Sequence, residues 1–334
     1  MTMTFGLLGA GRIGKVHARA VRGNPHARLG AVADALPAAA QALAAEHGCA
    51  VASIDAILAD PGIDAIIICT PTDTHADLIE AGVKAGKAVF CEKPIDLSVP
   101  RVKACLATVA AHKGALMVGF NRRFDPDFMA LHAAIAAGRI GKVEMVTIAS
   151  RDPGAPPVDY IARSGGIFRD MTIHDFDMAR WLLGEEVDTV QAAASVLTDP
   201  AIGTAGDYDS VNVILRTATG KQAIITNSRR AAYGYDQRIE VLGSTGAISA
   251  LNTAEANIEI ADKDGFHRPP LLNFFMTRYV AAYANEIAAF IAAVRNGTAM
   301  PTTGQDGLAA LVLADAALQS VAQGRVVKIS DITG

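Results

Sequence analysis

The sequence predicts an α/β N-terminal domain with a doubly wound parallel sheet, followed by an α+β C-terminal domain with a large, mostly antiparallel open sheet. Strand and helix patterns alternate through the first third of the chain, which is typical of repeated β-α units. One strand, AIIIC at residues 65–69, lacks polar alternation, as expected for a parallel strand buried on both faces. After residue 121, long strand patterns joined by turns such as TATGK and GSTG indicate antiparallel pairing.

The elements follow in order from these patterns. For the first domain, residues 1–121, the patterns predict strands at residues 5–8, 28–33, 65–69, 88–91 and 116–119. The intervening helices are expected to end near residue 21 and to cover residues 38–47, 75–85 and 100–112. For the second domain, residues 122–334, a helix at 127–137 precedes strands at 143–150, 187–197, 210–217, 222–227, 237–242, 247–250 and 257–260. Helices at 274–295 and 304–323 and a short strand at 326–329 close the chain.

Composition narrows the class of protein. The chain has 334 residues, is 51% hydrophobic and carries a net charge of −4 with acids and bases interspersed, so we expect no nucleic-acid partner. No apolar run reaches the roughly 18 residues of a membrane span, and we expect no membrane partner. The N-terminus enters a strand pattern without a signal sequence, and the four cysteines show no C-x-x-C spacing. These features favour a reduced, cytoplasmic protein.

The segment GAGRIG, residues 9–14, fits the dinucleotide-binding pattern G-x-G-x-x-G. Gly9 permits the tight turn, Gly11 lets the backbone approach a pyrophosphate, and Gly14 allows close packing of helix on strand. Arg12 and Ile13 open the following helix, whose amides and dipole favour an anion. Because the segment follows a strand and precedes a helix, we expect a pyrophosphate at Gly11–Ile13 rather than an empty glycine-rich turn.

Asp34 ends the second predicted strand, 20 residues after Gly14. A carboxylate there accepts a hydrogen bond from a ribose 2′-hydroxyl and repels a 2′-phosphate. No arginine or lysine occupies positions 33, 35 or 36, so the segment favours NAD over NADP. Asp34 could also cap the helix that starts near Pro37, and the two roles are compatible.

Two polar segments, CTPTDTH at residues 69–75 and CEKP at residues 91–94, each follow a predicted parallel strand. They therefore lie at the carboxyl edge of the sheet, where doubly wound folds bind ligands. A lysine in the second segment can donate a hydrogen bond to a substrate hydroxyl. Read in isolation, a Glu-Lys pair is a surface feature, and a lone histidine or threonine at a helix start is a helix-terminal residue. The candidate cofactor contacts in these segments are Thr70, Pro71, Thr72, His75, Glu92 and Lys93.

The segment GGIFRDMTIHDFDMARWL, residues 165–182, contains Asp170, His174 and Asp177. If residues 172–183 are helical, these three side chains project from one face. A carboxylate that orients an imidazole makes a proton acceptor near neutral pH. The same residues could form a solvated helix face or a metal site. We expect no metal, because no further histidine or cysteine lies nearby in sequence.

Taken together, GAGRIG, CTPT-x-x-H, CEKP and the D-x-x-x-H helix resemble the Gfo/Idh/MocA family of NAD(P)-dependent sugar oxidoreductases over essentially the whole chain. The resemblance implies a Rossmann domain, NAD as cofactor, and a homo-oligomer, specifically a tetramer. It also implies that Lys93 contacts the substrate and the nicotinamide ribose, and that Asp170 and His174 form the catalytic dyad.

Further segments, including GFNRRFDP and SRRAAYGYDQRIEV, are similar to the inositol-oxidising members of that family. This similarity implies a small cyclic polyol as substrate, oxidised at carbon 2 of myo-inositol to the 2-keto product. Asn121 and Arg122 are expected near the nicotinamide. Arg151 and Asp152 replace the His-x-Asn of some relatives. The expected polyol contacts are Lys93, Arg122, Arg151, Asp152, Asp170, His174, Asp177, Tyr233 or Tyr235, and Tyr279 or Tyr283.

Other functions stay open at this point. A dehydrogenase of scyllo- or chiro-inositol, or of a pyranose such as glucose, would carry the same motifs. A nucleotide-binding regulatory protein without catalysis is the alternative from another class. The presence of Lys93, Asp170 and His174 argues against that alternative, because a pure binding protein needs no proton-handling pair.

Overall fold

A computed structural model of the chain describes residues 2–333. The first sheet has six strands: Met3–Leu8 (β1), Ala27–Ala33 (β2), Ala50–Val51 (β3), Ala65–Ile68 (β4), Ala88–Glu92 (β5) and Leu116–Gly119 (β6). All neighbouring strands are parallel, in the order β3-β2-β1-β4-β5-β6. Strands β1 and β4 are buried along their whole length, which explains the unbroken apolar run of β4. The predicted doubly wound sheet is confirmed.

The later strands form a second sheet and a hairpin: Val143–Arg151 (β7), Val187–Ser195 (β8), Ser210–Thr217 (β9), Gln222–Ser228 (β10), Asp236–Gly243 (β11), Gly246–Ala250 (β12), Ile260–Asp262 (β13), Gly265–His267 (β14) and Val327–Lys328 (β15). The second sheet has the order β12-β11-β7-β10-β9-β8-β15. Its strands pair antiparallel except β7 and β10, which are parallel. The predicted, mostly antiparallel sheet is confirmed, and β13 and β14 form a separate pair.

The helices are Arg12–Gly23 (α1), Pro37–His47 (α2), Ile54–Ala59 (α3), His75–Lys84 (α4), Val99–Ala111 (α5), Pro126–Ala136 (α6), Val158–Ser164 (α7), Gly166–Asp170 (α8), Thr172–Leu183 (α9), Pro200–Thr204 (α10), Phe275–Arg278 (α11), Val280–Asn296 (α12), Gly304–Gln323 (α13) and Ser330–Thr333 (α14). Two short 3-10 turns lie at Thr72–Thr74 and Asn121–Phe124. Helix α2 shows the expected end signals, with proline at its first position and Gly48 in the left-handed region after its end. Within residues 2–333, no helix has the length and apolar character needed to cross a bilayer.

Several element predictions were wrong. The strand expected at residues 257–260 instead begins at Ile260 and pairs with Gly265–His267. The helix expected at residues 274–295 is interrupted at Tyr279, where neither glycine nor proline announces the break. The helix expected at residues 172–183 is confirmed as α9, and Asp170 precedes it as the last residue of α8. Met171, between the two helices, keeps right-handed helical dihedrals.

The chain divides into two compact units. One unit holds the chain up to Asp125 together with Val280–Leu311, and the other holds Pro126–Tyr279 and the residues from Val312 onward. The unit that contains the parallel sheet thus also includes α12, which the sequence prediction had placed in the second domain. The division of the chain into a cofactor domain and a substrate domain at residues 121 and 122 stays a prediction.

Candidate active site

The three glycines of the loop between β1 and α1 lie in different surroundings. Gly9 has φ +101°, and a Cβ there would lie 2.5 Å from the carbonyl oxygen of Cys69. A Cβ on Gly14 would lie 2.0 Å from the carbonyl oxygen of Gly9, so only glycine lets α1 start this close to the loop. A Cβ on Gly11 would meet nothing within 4 Å. The backbone at Gly11, at the N-terminus of the 12-residue helix α1, is therefore open to a ligand, as a pyrophosphate site requires. Arg12 is exposed and Ile13 half-buried in the first turn of this helix.

Asp34 fixes this loop to the end of β2. Its Oδ2 accepts a hydrogen bond from the amide of Ala10 at 2.6 Å, and its Oδ1 accepts one from the amide of Leu36 at 2.7 Å. Both bonds hold the carboxylate at the carboxyl edge of the parallel sheet, beside the glycine loop. This is the position from which a carboxylate reads a ribose hydroxyl. Asp34 does not cap α2 directly. The amide that it accepts a hydrogen bond from is that of Leu36, the residue before the helix.

The loop after β4 is held by side chains of its own. The hydroxyls of Thr70 and Thr74 lie 2.6 Å apart, and that of Thr74 donates to the carbonyl of Pro71. The buried ring of His75 lies between two carbonyl oxygens, that of Pro94 at 2.8 Å from Nδ1 and that of Thr70 at 2.8 Å from Nε2. His75 thus joins the loops that follow β4 and β5. A direct cofactor contact by His75 stays a prediction, as does one by half-buried Thr72.

Strand β5 ends at Glu92, and Lys93 follows it half-buried. The Glu92 side chain turns inward, and its Oε1 lies 2.6 Å from Nε2 of the buried His17 on α1. Asn121 and Arg122, in the turn after β6, are each 4% exposed. The first unit therefore brings the glycine loop, Asp34, Lys93 and the Asn121–Arg122 turn to the carboxyl ends of one parallel sheet. Sequence reasoning missed His17, because a histidine inside a helix carries no motif.

In the second unit, Asp170 is held from two sides. The hydroxyl of Tyr160 donates to its Oδ1 at 3.0 Å, and Nη1 of Arg229 lies 3.6 Å from its Oδ2. The Arg229 side chain is 1% exposed and also pairs with Asp207 at 3.2 Å. These two contacts fix the orientation of the Asp170 carboxyl group. Neither Tyr160 nor Arg229 was found by sequence reasoning.

The first two turns of α9 carry His174, half-buried, and two aspartates that are completely buried, Asp175 and Asp177. Asp175 accepts hydrogen bonds from the hydroxyl of Ser150 at 2.6 Å and from the side-chain amide of Asn227 at 2.8 Å. These bonds attach α9 to strands β7 and β10. The placement of His174 is thus fixed by the sheet beneath the helix.

Arg151 and Tyr233, both predicted polyol contacts, belong to one hydrogen-bonded cluster around Asp236. Arg151 donates to the Tyr233 hydroxyl at 2.7 Å and to Asp236 Oδ2 at 3.0 Å, and Tyr233 donates to the same oxygen at 2.6 Å. Arg238 and Asn252 each donate to Asp236 Oδ1 at 2.7 Å. Burial would raise the pKa of Asp236, but hydrogen bonds from Arg238, Tyr233 and Asn252 outweigh it and lower the pKa to about 2. The cluster therefore carries a permanent negative charge at its centre.

The other predicted polyol contacts are separated. Tyr235 and Tyr279 pack edge to face with ring centroids 5.9 Å apart, and both are nearly buried. Tyr283 lies in the first unit, where its ring packs edge-on against His17 at 5.5 Å. Asp152, half-buried, follows Arg151 and donates its amide to the carbonyl of Ser228. The structure thus brings Arg151 together with Tyr233, and Tyr235 with Tyr279, in two different clusters.

Replacing Asp236 by asparagine is expected to destabilise the fold by about 2 kcal/mol at pH 7, because an ionised carboxylate with a depressed pKa stabilises the folded state. This stabilisation is complete above the pKa that the Asp236 carboxyl group has in the unfolded chain, and it is lost as the pH falls toward 2. The difference between variant and wild type should therefore narrow below about pH 4. Urea unfolding at pH 7 and at pH 3 measures it. Asp262→Asn, at a half-exposed site, is the control. An equal loss in the free energy of unfolding in both variants would contradict the stabilising role of the Asp236 carboxylate.

The fold and the site define an oxidoreductase with an NAD-binding Rossmann domain. Residues 3–120 match the oxidoreductase family with an NAD-binding Rossmann fold, and residues 128–249 match the GFO/IDH/MocA C-terminal domain. The chain belongs to the GFO/IDH/MocA oxidoreductase family.

Curated relatives and solved structures match along the whole chain. An inositol 2-dehydrogenase of Rhizobium meliloti is 69% identical over 330 residues, which are 99% of this chain and 100% of the relative. The crystal structure of a myo-inositol dehydrogenase from Corynebacterium glutamicum is 43% identical with a TM-score of 0.95, covering 98% of this chain and 99% of that one. A scyllo-inositol dehydrogenase from Lactobacillus casei, solved with NAD(H) and scyllo-inositol, is 29% identical with a TM-score of 0.92, covering 99% and 100%.

Proposed function

We propose that this protein oxidises myo-inositol at carbon 2 to the 2-keto product, with NAD as the electron acceptor. The observation that carries the proposal is the 69% identity to an inositol 2-dehydrogenase over nearly the whole of both chains. Every residue of the predicted proton-handling set, Lys93, Asp170 and His174, is present. The test is NADH formation, followed by absorbance, on mixing the purified protein with NAD and myo-inositol. Absence of NADH with myo-inositol would contradict the proposal.

The residues of the first unit fit NAD. The bound cofactor supplies a nicotinamide ring that accepts a hydride. The open backbone at Gly11 and the amides that begin α1 bind the pyrophosphate. Asp34 accepts a hydrogen bond from a ribose hydroxyl while keeping its bonds to Ala10 and Leu36, because each carboxylate oxygen has more than one acceptor site. Thr70, Pro71, Thr72 and the Asn121–Arg122 turn complete the cofactor contacts.

Replacing Asp34 by serine is expected to raise the use of NADP relative to NAD, because the substitution removes the negative charge that repels a 2′-phosphate. We expect the ratio of kcat/KM for NADP to that for NAD to rise about tenfold or more, which corresponds to about 1.4 kcal/mol. Initial rates with both cofactors measure it. Asp55→Ser, in the first turn of α3, is the matched control. An unchanged ratio in Asp34→Ser would show that another group reads the ribose.

His174 serves as the base that takes the proton from the reacting hydroxyl, and Asp170 orients its ring. Asp170 suits this role because Tyr160 and Arg229 fix the orientation of its carboxyl group. Lys93 donates a hydrogen bond to the oxygen as it becomes a carbonyl, which stabilises the charge that develops there. Removing the hydroxyl proton makes loss of the hydride from the same carbon favourable.

The remaining hydroxyls of the polyol require polar contacts, which we assign to Arg122, Arg151, Asp152, Asp177 and Tyr233. Arg151 and Tyr233 are already fixed by Asp236, so they bind without losing much rotamer freedom. Tyr235, Tyr279 and Tyr283 shape the surroundings through ring packing.

Scyllo-inositol is the second candidate substrate, favoured by the similarity to the Lactobacillus casei enzyme solved with that polyol. The two isomers differ in the orientation of one hydroxyl. A panel of myo-, scyllo- and chiro-inositol and glucose, compared by kcat/KM, decides between them. A protein that binds NAD and oxidises none of them would instead be a regulatory nucleotide-binding protein.

The second sheet offers an apolar face for assembly. Met145 on β7 and Leu242 on β11 are cross-strand partners, and Ile214 on β9 lies on the same face; these side chains are 38%, 41% and 44% exposed. Exposed apolar side chains clustered on one face indicate a contact surface. We assign this face to a second copy of the chain, as part of a homotetramer that acts in the cytoplasm in inositol catabolism.

Introducing a charge on this face should weaken the assembly. We expect Ile214→Glu to lower the molar mass in multi-angle light scattering, because a buried unpaired carboxylate costs several kcal/mol. Lys263→Glu, in the turn of the separate β13–β14 pair, is the control. A monomeric wild type, or an Ile214→Glu variant with unchanged mass, would contradict the assignment of this face.

A further inference from the structure

Three ionisable side chains meet in the interior of the first unit: His17 from α1, Glu92 from β5 and Glu286 from α12. One ligand-type atom from each lies within 4.8 Å of the other two. Within residues 2–333 they are the only such group of three or more histidine, cysteine or carboxylate side chains. We call this group the buried triad. Neither the glycine loop nor the catalytic dyad includes His17 or Glu286.

Glu92 is fixed on three sides. Its Oε1 lies 2.6 Å from Nε2 of His17, and its Oε2 accepts a hydrogen bond from the amide of Lys93 at 3.2 Å. On the third side it packs against Gly119, where an added Cβ would lie 3.3 Å from the Glu92 carboxyl carbon. Both carboxyl oxygens are thus used, and one of them is bonded to the main chain of Lys93.

His17 is fixed as well. Its side chain is fully buried, and its ring packs edge-on against Phe90 at 5.0 Å and Tyr283 at 5.5 Å. These contacts leave the ring little freedom to rotate. The bond from His17 therefore holds Glu92 in one orientation.

Glu286 has a different environment. It is fully buried, and neither carboxyl oxygen has a hydrogen-bond partner among the described residues. A buried carboxylate without partners is very costly, so the group stays protonated. Burial, reinforced by the charge of Glu92, raises the pKa of Glu286 well above its usual range. Burial also raises the pKa of the nearby thiols of Cys69 and Cys91, so both are neutral.

We propose that the buried triad is a positioning site for Lys93, in which His17 and Glu286 hold the Glu92 carboxyl group in place as the acceptor of the Lys93 backbone amide. The proposal rests on the proposed function for the role of Lys93 itself. Glu286 contributes because its uncharged side chain fills the space beside Glu92 without displacing it from His17 and Lys93. A displacement of about 1 Å at a group that contacts substrate can cost about a hundredfold in rate.

Two substitutions separate the roles. Glu92→Gln replaces one of the two acceptor oxygens by an amide donor, so the side chain cannot accept from both His17 and Lys93. We expect kcat with myo-inositol to fall about tenfold or more, with the Kd for NADH within about twofold of wild type. Glu286→Gln resembles the neutral acid, and we expect it to retain at least about a third of kcat. A wild-type kcat in Glu92→Gln, or a larger loss in Glu286→Gln than in Glu92→Gln, would overturn the proposal.

Two measurements need no turnover. Infrared difference spectra should show the carbonyl band of a protonated carboxylic acid at neutral pH in wild type, absent from Glu286→Gln. Labelling of Lys93 by acetic anhydride, followed by peptide mass spectrometry, should be faster in Glu92→Gln than in wild type. If the wild type does not oxidise myo-inositol, the proposed function is wrong, but the infrared and labelling results still test the buried triad.

Three outcomes would overturn the proposal for the buried triad. They are an absent infrared band, an unchanged labelling rate of Lys93, and one equivalent of tightly bound zinc, manganese or iron that both variants lose. If Glu92→Gln does not fold, His17→Leu replaces it in the labelling experiment.

Discussion

Replacing His174 by alanine is expected to lower kcat with myo-inositol by about 10²- to 10⁴-fold, the usual contribution of a positioned general base. The reacting hydroxyl would then lose its proton to water instead of to a fixed imidazole. NAD binding should change little, because the glycine loop and Asp34, to which we assign the cofactor contacts, belong to the first unit. Steady-state rates and NADH fluorescence titration measure the two effects separately.

His267→Ala provides the matched control for this variant. His267 lies in the second unit, in the hairpin strand β14, with about half of its side chain exposed. We expect this variant to keep wild-type kcat. If His174→Ala turned over as fast as His267→Ala, the base would have to be another group, and the assignment of the dyad would be wrong.

Replacing Lys93 by methionine is expected to lower kcat by about 10²- to 10³-fold, because it removes a donor that favours charge on the reacting oxygen. Methionine keeps most of the aliphatic length, so packing at the end of β5 should be preserved. The KM for myo-inositol should rise less than kcat falls, since the interaction strengthens as the carbonyl forms.

Lys84→Met, at an exposed position on α4, removes the same charge from the first unit away from the carboxyl ends of the strands. It should leave kcat and both KM values near wild type. A Lys93→Met variant that loses only substrate affinity, with kcat intact, would show that Lys93 binds the polyol uniformly and has no role in the chemical step.

Local sequence patterns predicted the parts of this structure that depend on near neighbours. The glycine loop follows from backbone sterics at Gly9 and Gly14, and both positions would clash with any side chain. The buried strand β4 follows from its unbroken apolar run, because both faces are covered. The position of Asp34 at the end of β2 follows from the spacing to the glycine loop.

The supporting contacts could not be predicted, because each joins residues distant in sequence. Asp170 is held by Arg229, 59 positions later in the chain, and Glu92 is held by His17, 75 positions earlier. No local periodicity predicts such a pairing, and neither a buried arginine just after a strand nor a buried histidine within a helix has a motif. The break between α8 and α9 was also invisible, since Met171 is an ordinary helix-forming residue.

If this protein passes a hydride from carbon 2 of myo-inositol to NAD, deuterium placed at that carbon is transferred to the cofactor. Myo-inositol carrying deuterium at carbon 2 is therefore the substrate of choice, with mass spectrometry of the NADH produced. We expect the NADH to carry one deuterium and the polyol product to be the unlabelled 2-ketone. NADH without deuterium, or no NADH at all, would contradict it.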